Sequence, residues 1–265
     1  MSITGIILAA VIVGATGCVI GFFLCFSAEK FKVEVDPREE AIMGVLPGNN
    51  CGGCGYAGCS GLAAAIVNGE APCNQCPVGG DEVGNQVAEI MGVSVEAGVK
   101  KVSHVRCMGD CEKSSVLYEY TGVEDCNAMA FVPAGGPKAC NYGCMGYGSC
   151  VKACPFDAIH IVNGVAVVDK DACKACGKCI ATCPKQLIEL IPYDASHVVE
   201  CRNNDKGKDV MQVCKVGCIG CHKCEKVCES DAVHVEGNIA YIDQDKCTGC
   251  GAFADNCPRK VISET

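Results

Sequence analysis

Cys173-x2-Cys176-x2-Cys179-x3-Cys183-Pro places four thiols within a short stretch of one chain. Three soft thiolates at two-residue gaps can wrap one side of an iron–sulfur cluster, and a fourth must come from elsewhere. Cys140-x3-Cys144-x5-Cys150-x3-Cys154-Pro precedes this run. Cys214-x3-Cys218-x2-Cys221-x2-Cys224-x3-Cys228 and Cys247-x2-Cys250-x6-Cys257-Pro follow it. Nearer the start stands Cys51-x2-Cys54-x4-Cys59, then Cys73 and Cys76-Pro. Glycines around Cys51 to Cys59 let backbone amides approach sulfur, which tunes a cluster's potential. The chain holds 27 cysteines in 265 residues. Disulfide scaffolds of that density are typically secreted domains below about 80 residues. Here the count is odd and the thiols bunch. Tetrahedral zinc gives no reason for a crossed three-plus-one spacing that occurs twice.

The Cys173–Cys183 run resembles the motif of bacterial two-cluster ferredoxins, in which the fourth cysteine serves the other cluster. That motif groups Cys173, Cys176 and Cys179 with Cys154, and sends Cys183 to the cluster of the first half. The first half departs from it, since Tyr147 stands where the middle cysteine is expected. With Cys140 as replacement, that cluster takes Cys140, Cys144, Cys150 and Cys183. Cys107, Cys111 and Cys126 then lack an obvious fourth ligand. They can serve a further cluster with a distant partner, or be buried thiols; if they claim Cys140, the ferredoxin site keeps three cysteines. The unit repeats 74 residues later, from Cys144 to Cys218, with Cys140 matching Cys214. Cys218, Cys221, Cys224 and Cys257 form a complete set. Cys228, Cys247 and Cys250 do not, because Phe253 occupies the fourth place. Such a site can hold [3Fe–4S], a cluster with another ligand, or nothing, and Cys201 and Cys214 are available substitutes.

The elements that position these thiols are legible in outline. Val233 to Glu236 and Ile239 to Ile242 flank Gly237-Asn238, as Ala158 to Val162 and Val165 to Val168 flank Asn163-Gly164. Each pattern predicts a β-hairpin. Asp36 as N-cap and Pro37 at the first position predict a helix ending before Gly48, with further helices over 60–68 and 81–92. Val83, Val87, Ile90 and Met91 share one side of the last. His104, His160, His197, His222 and His234 are scattered, as packing or surface residues would be.

Met1 to Ala28 carry no charged side chain, and Ile3 to Phe26 is a mostly apolar run of 24 residues. As a helix it is about 36 Å long, enough to cross a bilayer. Lys30, Lys32 and Arg38 follow it and nothing basic precedes it, which places the remainder in the cytoplasm. That compartment keeps thiols reduced. Gly14, Gly17 and Gly21 suit helix packing but are also common in such segments; Cys18 and Cys25 read as small apolar residues. A net charge of −9 lacks the positive excess that phosphate binding needs, so no nucleic-acid partner is expected.

The expected fold is α+β: an N-terminal transmembrane helix, a small helical 4Fe-4S module, then tandem ferredoxin-like βαββαβ domains. The expected divisions are 1–28, the helix; 29–93, the helical module; 94–139, a cysteine-containing insertion; 140–192, the first ferredoxin-like domain; 193–213, a linker; and 214–265, the second.

The uncharged first segment, the loop GNNCGGCGYAGC with its later CPVGG, and the tandem cassettes resemble the B subunit of the Rnf complex. That resemblance covers nearly the whole chain and its longer, anaerobe-type form. It implies that Cys51, Cys54, Cys59 and Cys76 carry the first cluster. It also implies an iron–sulfur electron-transfer subunit of an inner-membrane ferredoxin:NAD oxidoreductase coupled to Na+ or H+ translocation. Soluble ferredoxin would be the donor, and membrane and flavin or NAD subunits the recipients. No GxGxxG opens a helix after a strand, so no NAD reduction is expected of the chain alone. Twenty-five cysteines outside the first segment suffice for at most six [4Fe–4S] clusters, and four sets look complete. A wiring subunit of another membrane oxidoreductase, or a redox partner of an iron–sulfur regulator, would share the thiols but assemble with different proteins.

Overall fold

The computed structural model describes residues 3–30, 36–95 and 98–265; within its first helix it describes the side chains of Gly5, Ile7, residues 11–27 and Lys30. Helix α1 (Ile3–Lys30) is 28 residues long. Its described side chains from Val11 to Phe26 are exposed, with Val13 at 70% and Phe22 at 77%. Apart from Thr16, whose hydroxyl donates to the Ile12 carbonyl at 2.9 Å, they are apolar around the whole circumference, not along one stripe. Among residues whose side chains are described, no helix is long and apolar enough to cross a membrane. Lys32, one of the basic residues expected to orient this helix, lies outside the described residues.

Three helices follow. In α2 (Pro37–Val45), the Asp36 side chain accepts from the Arg38 N–H at 2.8 Å, and Pro37 opens the first turn. Next come α3 (Cys59–Val67) and α4 (Gly80–Met91), the latter closed by left-handed Gly92. Ile42, Leu62, Ile66 and Val87 interlock to form their shared core, against which Val83, Ile90 and Met91 pack.

The remainder is two copies of one plan. The first comprises β1 (Lys101–Val105), α5 (Ser149–Ala153), β2 (Ile159–Val162), β3 (Val165–Val168), α6 (Lys178–Thr182) and β4 (Ile188–Pro192). Strand β1 pairs antiparallel with β4 from Lys101↔Pro192 to Val105↔Ile188, and β2 with β3. The second copy comprises β5 (His197–Val199), α7 (Gly207–Val213), α8 (Lys223–Val227), β6 (Val233–Glu236), β7 (Ile239–Ile242), α9 (Ala252–Asp255) and β8 (Ile262–Glu264). Here β5 pairs with β8, and β6 with β7. Both hairpins turn on two positive-φ residues, Asn163-Gly164 and Gly237-Asn238, as tight primed turns require.

Each copy begins ahead of its cysteine run. Strand β1 falls within 94–139 and β5 within 193–213, ranges read from sequence as insertion and linker. The Arg106 N–H donates to the Leu187 carbonyl at 2.8 Å, and the Glu200 N–H to that of Val261 at 2.9 Å. These matched bonds lock the chain leaving each first strand onto the end of its own unit.

Candidate iron–sulfur sites

In the helical module, Gly52, Gly55 and Gly58 take positive φ and coil the loop that carries Cys51, Cys54 and Cys59. Asn50 Oδ1 accepts from the Cys59 N–H at 2.9 Å, and Gln75 Nε2 donates to the Cys54 carbonyl at 3.2 Å, tying the loop to the Cys76 segment. Burial pushes the Cys76 thiol up, and the neighbouring Cys54 and Cys59 add to this, while the Gly79 N–H donates to its sulfur at 3.4 Å. Cys73 is also buried and its thiol raised by burial.

Within the first ferredoxin unit, Cys154, Cys173, Cys176 and Cys179 are neighbours. Burial, with Cys154 and Cys173 nearby, raises the Cys176 thiol, and burial, with Cys173 and Cys176 nearby, raises that of Cys179. Strand β1 supplies Ser103, whose N–H donates to Cys173 Sγ and whose hydroxyl accepts from the Cys179 thiol, each at 3.4 Å. Cys51 of the helical module also acts on Cys176. Gly53 explains that approach: a Cβ there would stand 2.7 Å from the Cys176 carbonyl oxygen.

The unit's second thiol set differs from the sequence expectation. A cavity of about 420 Å³ is lined by Cys126, Cys144, Cys150 and Cys183. Cys140 is not among its lining residues, and Cys126 stands in its place. The Cys126 N–H donates to Ser149 Oγ at 2.9 Å, and that hydroxyl donates to Asp125 Oδ2 at 2.9 Å. Burial, with Cys144, Cys126 and Cys183 beside it, pushes the Cys150 thiol to about 12. Tyr147, at the position where the motif has a cysteine, instead meets Tyr120 at 6.1 Å between ring centres.

In the second unit, Cys218, Cys221, Cys224 and Cys257 line a cavity of about 340 Å³. Burial and the other three thiols push Cys224 to about 11. Cys221 is the exposed member. Cys228 and Cys247 pack against the core around Phe253, which is 2% exposed and meets His197 edge-on at 5.2 Å; Cys250 is exposed.

Cys107, Cys111 and Cys126 do not converge. Cys126 enters the cavity above, and Cys111 is exposed beside Gly164 of the first hairpin. Cys107 lines a third cavity, of about 390 Å³, together with Cys140, Cys201 and Cys214. Spacing alone did not join these last four, although the match of Cys140 to Cys214 was half of the signal.

The donor chemistry fits iron–sulfur clusters. Thiols surround open space and receive backbone N–H bonds, such as Leu187 to Cys183 Sγ at 3.4 Å and Ala232 to Cys228 Sγ at 3.3 Å. Among the described residues, no three His, Cys, Asp or Glu side chains converge as for a single metal ion. Ferredoxin-type units with such cavities define an iron–sulfur electron-transfer protein.

Comparison with known proteins narrows this class. Residues 46–78 match an Fe-S cluster family model, and residues 133–184 match the 4Fe-4S dicluster domain. The chain is 45% identical over 253 residues to the B subunit of the Na(+)-translocating ferredoxin:NAD(+) oxidoreductase complex of Acetobacterium woodii, covering 95% of this chain and 76% of that one. It is 43% identical to the B subunit of the ion-translocating oxidoreductase complex of Methanosarcina acetivorans, over 95% of each chain. It is 42% identical to the B subunit of the proton-translocating ferredoxin:NAD(+) oxidoreductase complex of Clostridium ljungdahlii, over 97% of this chain and 92% of that one. The chain belongs to the family of B subunits of ion-translocating oxidoreductase, or Rnf, complexes.

Proposed function

We propose that this chain is the iron–sulfur electron-transfer subunit of a membrane-bound ferredoxin:NAD oxidoreductase coupled to Na+ or H+ translocation. The observation that carries this reading is the close approach of successive cysteine loops, with Gly53 of the helical module so near the first ferredoxin unit that a Cβ there would stand 2.7 Å from the Cys176 carbonyl oxygen. When bound, each cluster takes up and releases one electron at a time. Cys51, Cys54, Cys59 and Cys76 are the ligands of the helical module. Cys154, Cys173, Cys176 and Cys179 form one set of the first unit, and Cys126, Cys144, Cys150 and Cys183 the other. Cys218, Cys221, Cys224 and Cys257 serve the second unit. The protein fixes the distances between these sets, donates N–H bonds to their sulfurs and excludes water.

Helix α1 is the anchor in this reading. What supports this is the sequence, whose mostly apolar run Ile3 to Phe26 has a bilayer-spanning length as a helix; such an anchor would leave the helical module nearest the membrane and the two ferredoxin units in the cytoplasm. Exposed Cys221 then marks the end open to soluble ferredoxin. Membrane and flavin subunits of the complex receive electrons at the other end. In the full chain, purified anaerobically in detergent, reduced ferredoxin should bleach the visible absorption without added flavin or NAD, and NADH alone should not. Failure of ferredoxin to bleach the protein would refute the reading. Cys179→Ala should remove one cluster and interrupt ferredoxin-dependent NAD reduction in the assembled complex.

A further inference from the structure

Cys107, Cys140, Cys201 and Cys214 come from four separate stretches, yet they occupy matched places in the two ferredoxin units. Cys107 lies two residues beyond β1, and Cys201 two residues beyond β5. Cys140 precedes Cys144 by four residues, as Cys214 precedes Cys218. Each unit therefore contributes an equivalent pair to one cavity. The space they line, about 390 Å³ with the open solvent at its mouth included, is comparable on the same measure with those lined by the Cys144 and Cys218 sets, about 420 and 340 Å³.

The surroundings are built for sulfur. Asn203 donates its N–H to Cys201 Sγ and its Nδ2 to Cys140 Sγ, both at 3.4 Å. Gly109 lies against both thiols: a Cβ there would stand 3.6 Å, ordinary contact distance, from the sulfurs of Cys107 and Cys214. Buried Arg106 lines the cavity, and buried Lys138 caps the Gly109 carbonyl at 2.8 Å. Arg106 is paired with Glu189 at 3.4 Å, and Arg202 and Glu200 also line the cavity, so Lys138, which favours ionisation of Cys107, is the cation that offsets part of the negative charge thiolates would bring.

The same pairs touch the neighbouring sets. The Cys144 N–H donates to Cys107 Sγ at 3.4 Å, and the Cys218 N–H donates to the Cys201 sulfur. One ligand of each unit's own set is thus hydrogen-bonded to one thiol of the shared cavity.

We propose that Cys107, Cys140, Cys201 and Cys214 bind a [4Fe–4S] cluster that links the two ferredoxin units. Each thiol releases its proton to water as its sulfur bonds iron. The linking role rests on the electron-transfer reading above. One electron, first supplied by ferredoxin, leaves the Cys218 set, which is oxidised; the shared site is reduced by it and then reoxidised as the electron passes on to the Cys144 set, which is reduced.

The test uses the full chain, purified anaerobically. Cys107→Ser and Cys201→Ser lie on different units, so each should lose four irons per chain and the same EPR signal after dithionite reduction. Cys111→Ser, at an exposed thiol, should lose none. Each variant checks the other should one fail to fold. Unchanged iron in both, loss of different signals, or zinc in place of the missing iron overturns the site. If the four irons are lost but reduced ferredoxin still reduces the Cys144 set at the wild-type rate, the linking role is overturned and the metal site stands. If ferredoxin reduces no set even in the wild type, the functional reading fails, while the iron counts still decide the site.

Discussion

The backbone N–H of Cys126 donates to Ser149 Oγ at 2.9 Å, and this bond spans 23 residues. Ser149 immediately precedes Cys150, so one hydroxyl holds two thiols of the same cavity in register. Asp125 completes the clamp, accepting from Ser149 Oγ and from the N–H groups of Asn127 and Ala128. The hydrogen bond to Ser149, then those from the two backbone groups, hold its carboxyl below the usual range. Ser149→Ala leaves the part-buried Cys126 N–H without this partner, at a cost of about 1 kcal/mol. The expected outcome is faster iron loss from the Cys144 set during chelator challenge, with the Cys218 set unaffected. Equal loss from both sets would show general destabilisation instead.

That clamp also shows where the sequence stops being readable. Both hairpins, the helical module and every CxxC run follow from local chemistry: turn residues, caps and short spacings. The crossed sets need only the internal repeat. Cys126, by contrast, reaches its cavity through a serine 23 residues away, and Cys107 through the pairing of β1 with β4 across more than 80 residues. Neither contact leaves a periodic mark. Lys101–Val105 and His197–Val199 are short strands whose partners are remote, so the ranges holding them look like insertion and linker. The missing cysteine at Tyr147 signalled a vacancy; its occupant is set by tertiary structure.

Gly53 sets the distance between the helical module and the first ferredoxin unit. A Cβ there would stand 2.7 Å from the Cys176 carbonyl oxygen and 2.9 Å from its Cα, so backbone must move. Gly53→Val should keep all iron, since it replaces no ligand. Electron arrival at the Cys51 set should slow several-fold, because that set is pushed away from Cys176. Stopped-flow reduction by ferredoxin, followed set by set by rapid-freeze EPR, measures this; an unchanged rate would remove Gly53 from the route.

His104 on β1 gives the fold a defined acid sensitivity. Burial, then the charges of Arg106 and Lys170, pull its pKa from 6.5 to about 4, and its Nε2 has no hydrogen-bond partner. A base whose folded pKa is depressed stabilises the fold fully above its unfolded value. That contribution falls as pH drops through 6.5 and is gone below about 4. Between about pH 7.5 and 5.5 the loss should be on the order of 1 kcal/mol. Removing the titrating ring in His104→Gln should flatten this slope. Thermal unfolding of both proteins across that range is the measurement, and parallel curves would show that His104 does not titrate on unfolding.

Phe253 takes the place in the second unit that Cys179 holds in the first, and it is 2% exposed in the core. The remaining thiols are close to ready. Burial opposes ionisation of Cys228, yet the Ser230 hydroxyl and the N–H groups of Ala232, Val233 and Ser230 hold its thiol below the usual range. Phe253→Cys removes a ring and restores the three-plus-one pattern with Cys228, Cys247 and Cys250. Truncation of a buried phenylalanine costs about 3–5 kcal/mol when the space stays empty. A cluster bound there would fill that space and supply metal–ligand bonds in its place. The iron-loaded variant should therefore hold one more cluster per chain than wild type, with a new EPR signal. After chelation it should unfold more easily than the wild type treated alike. If iron content does not rise, a fourth thiol is not what this site lacks, and the packing around His197 and Phe253 excludes the cluster by volume.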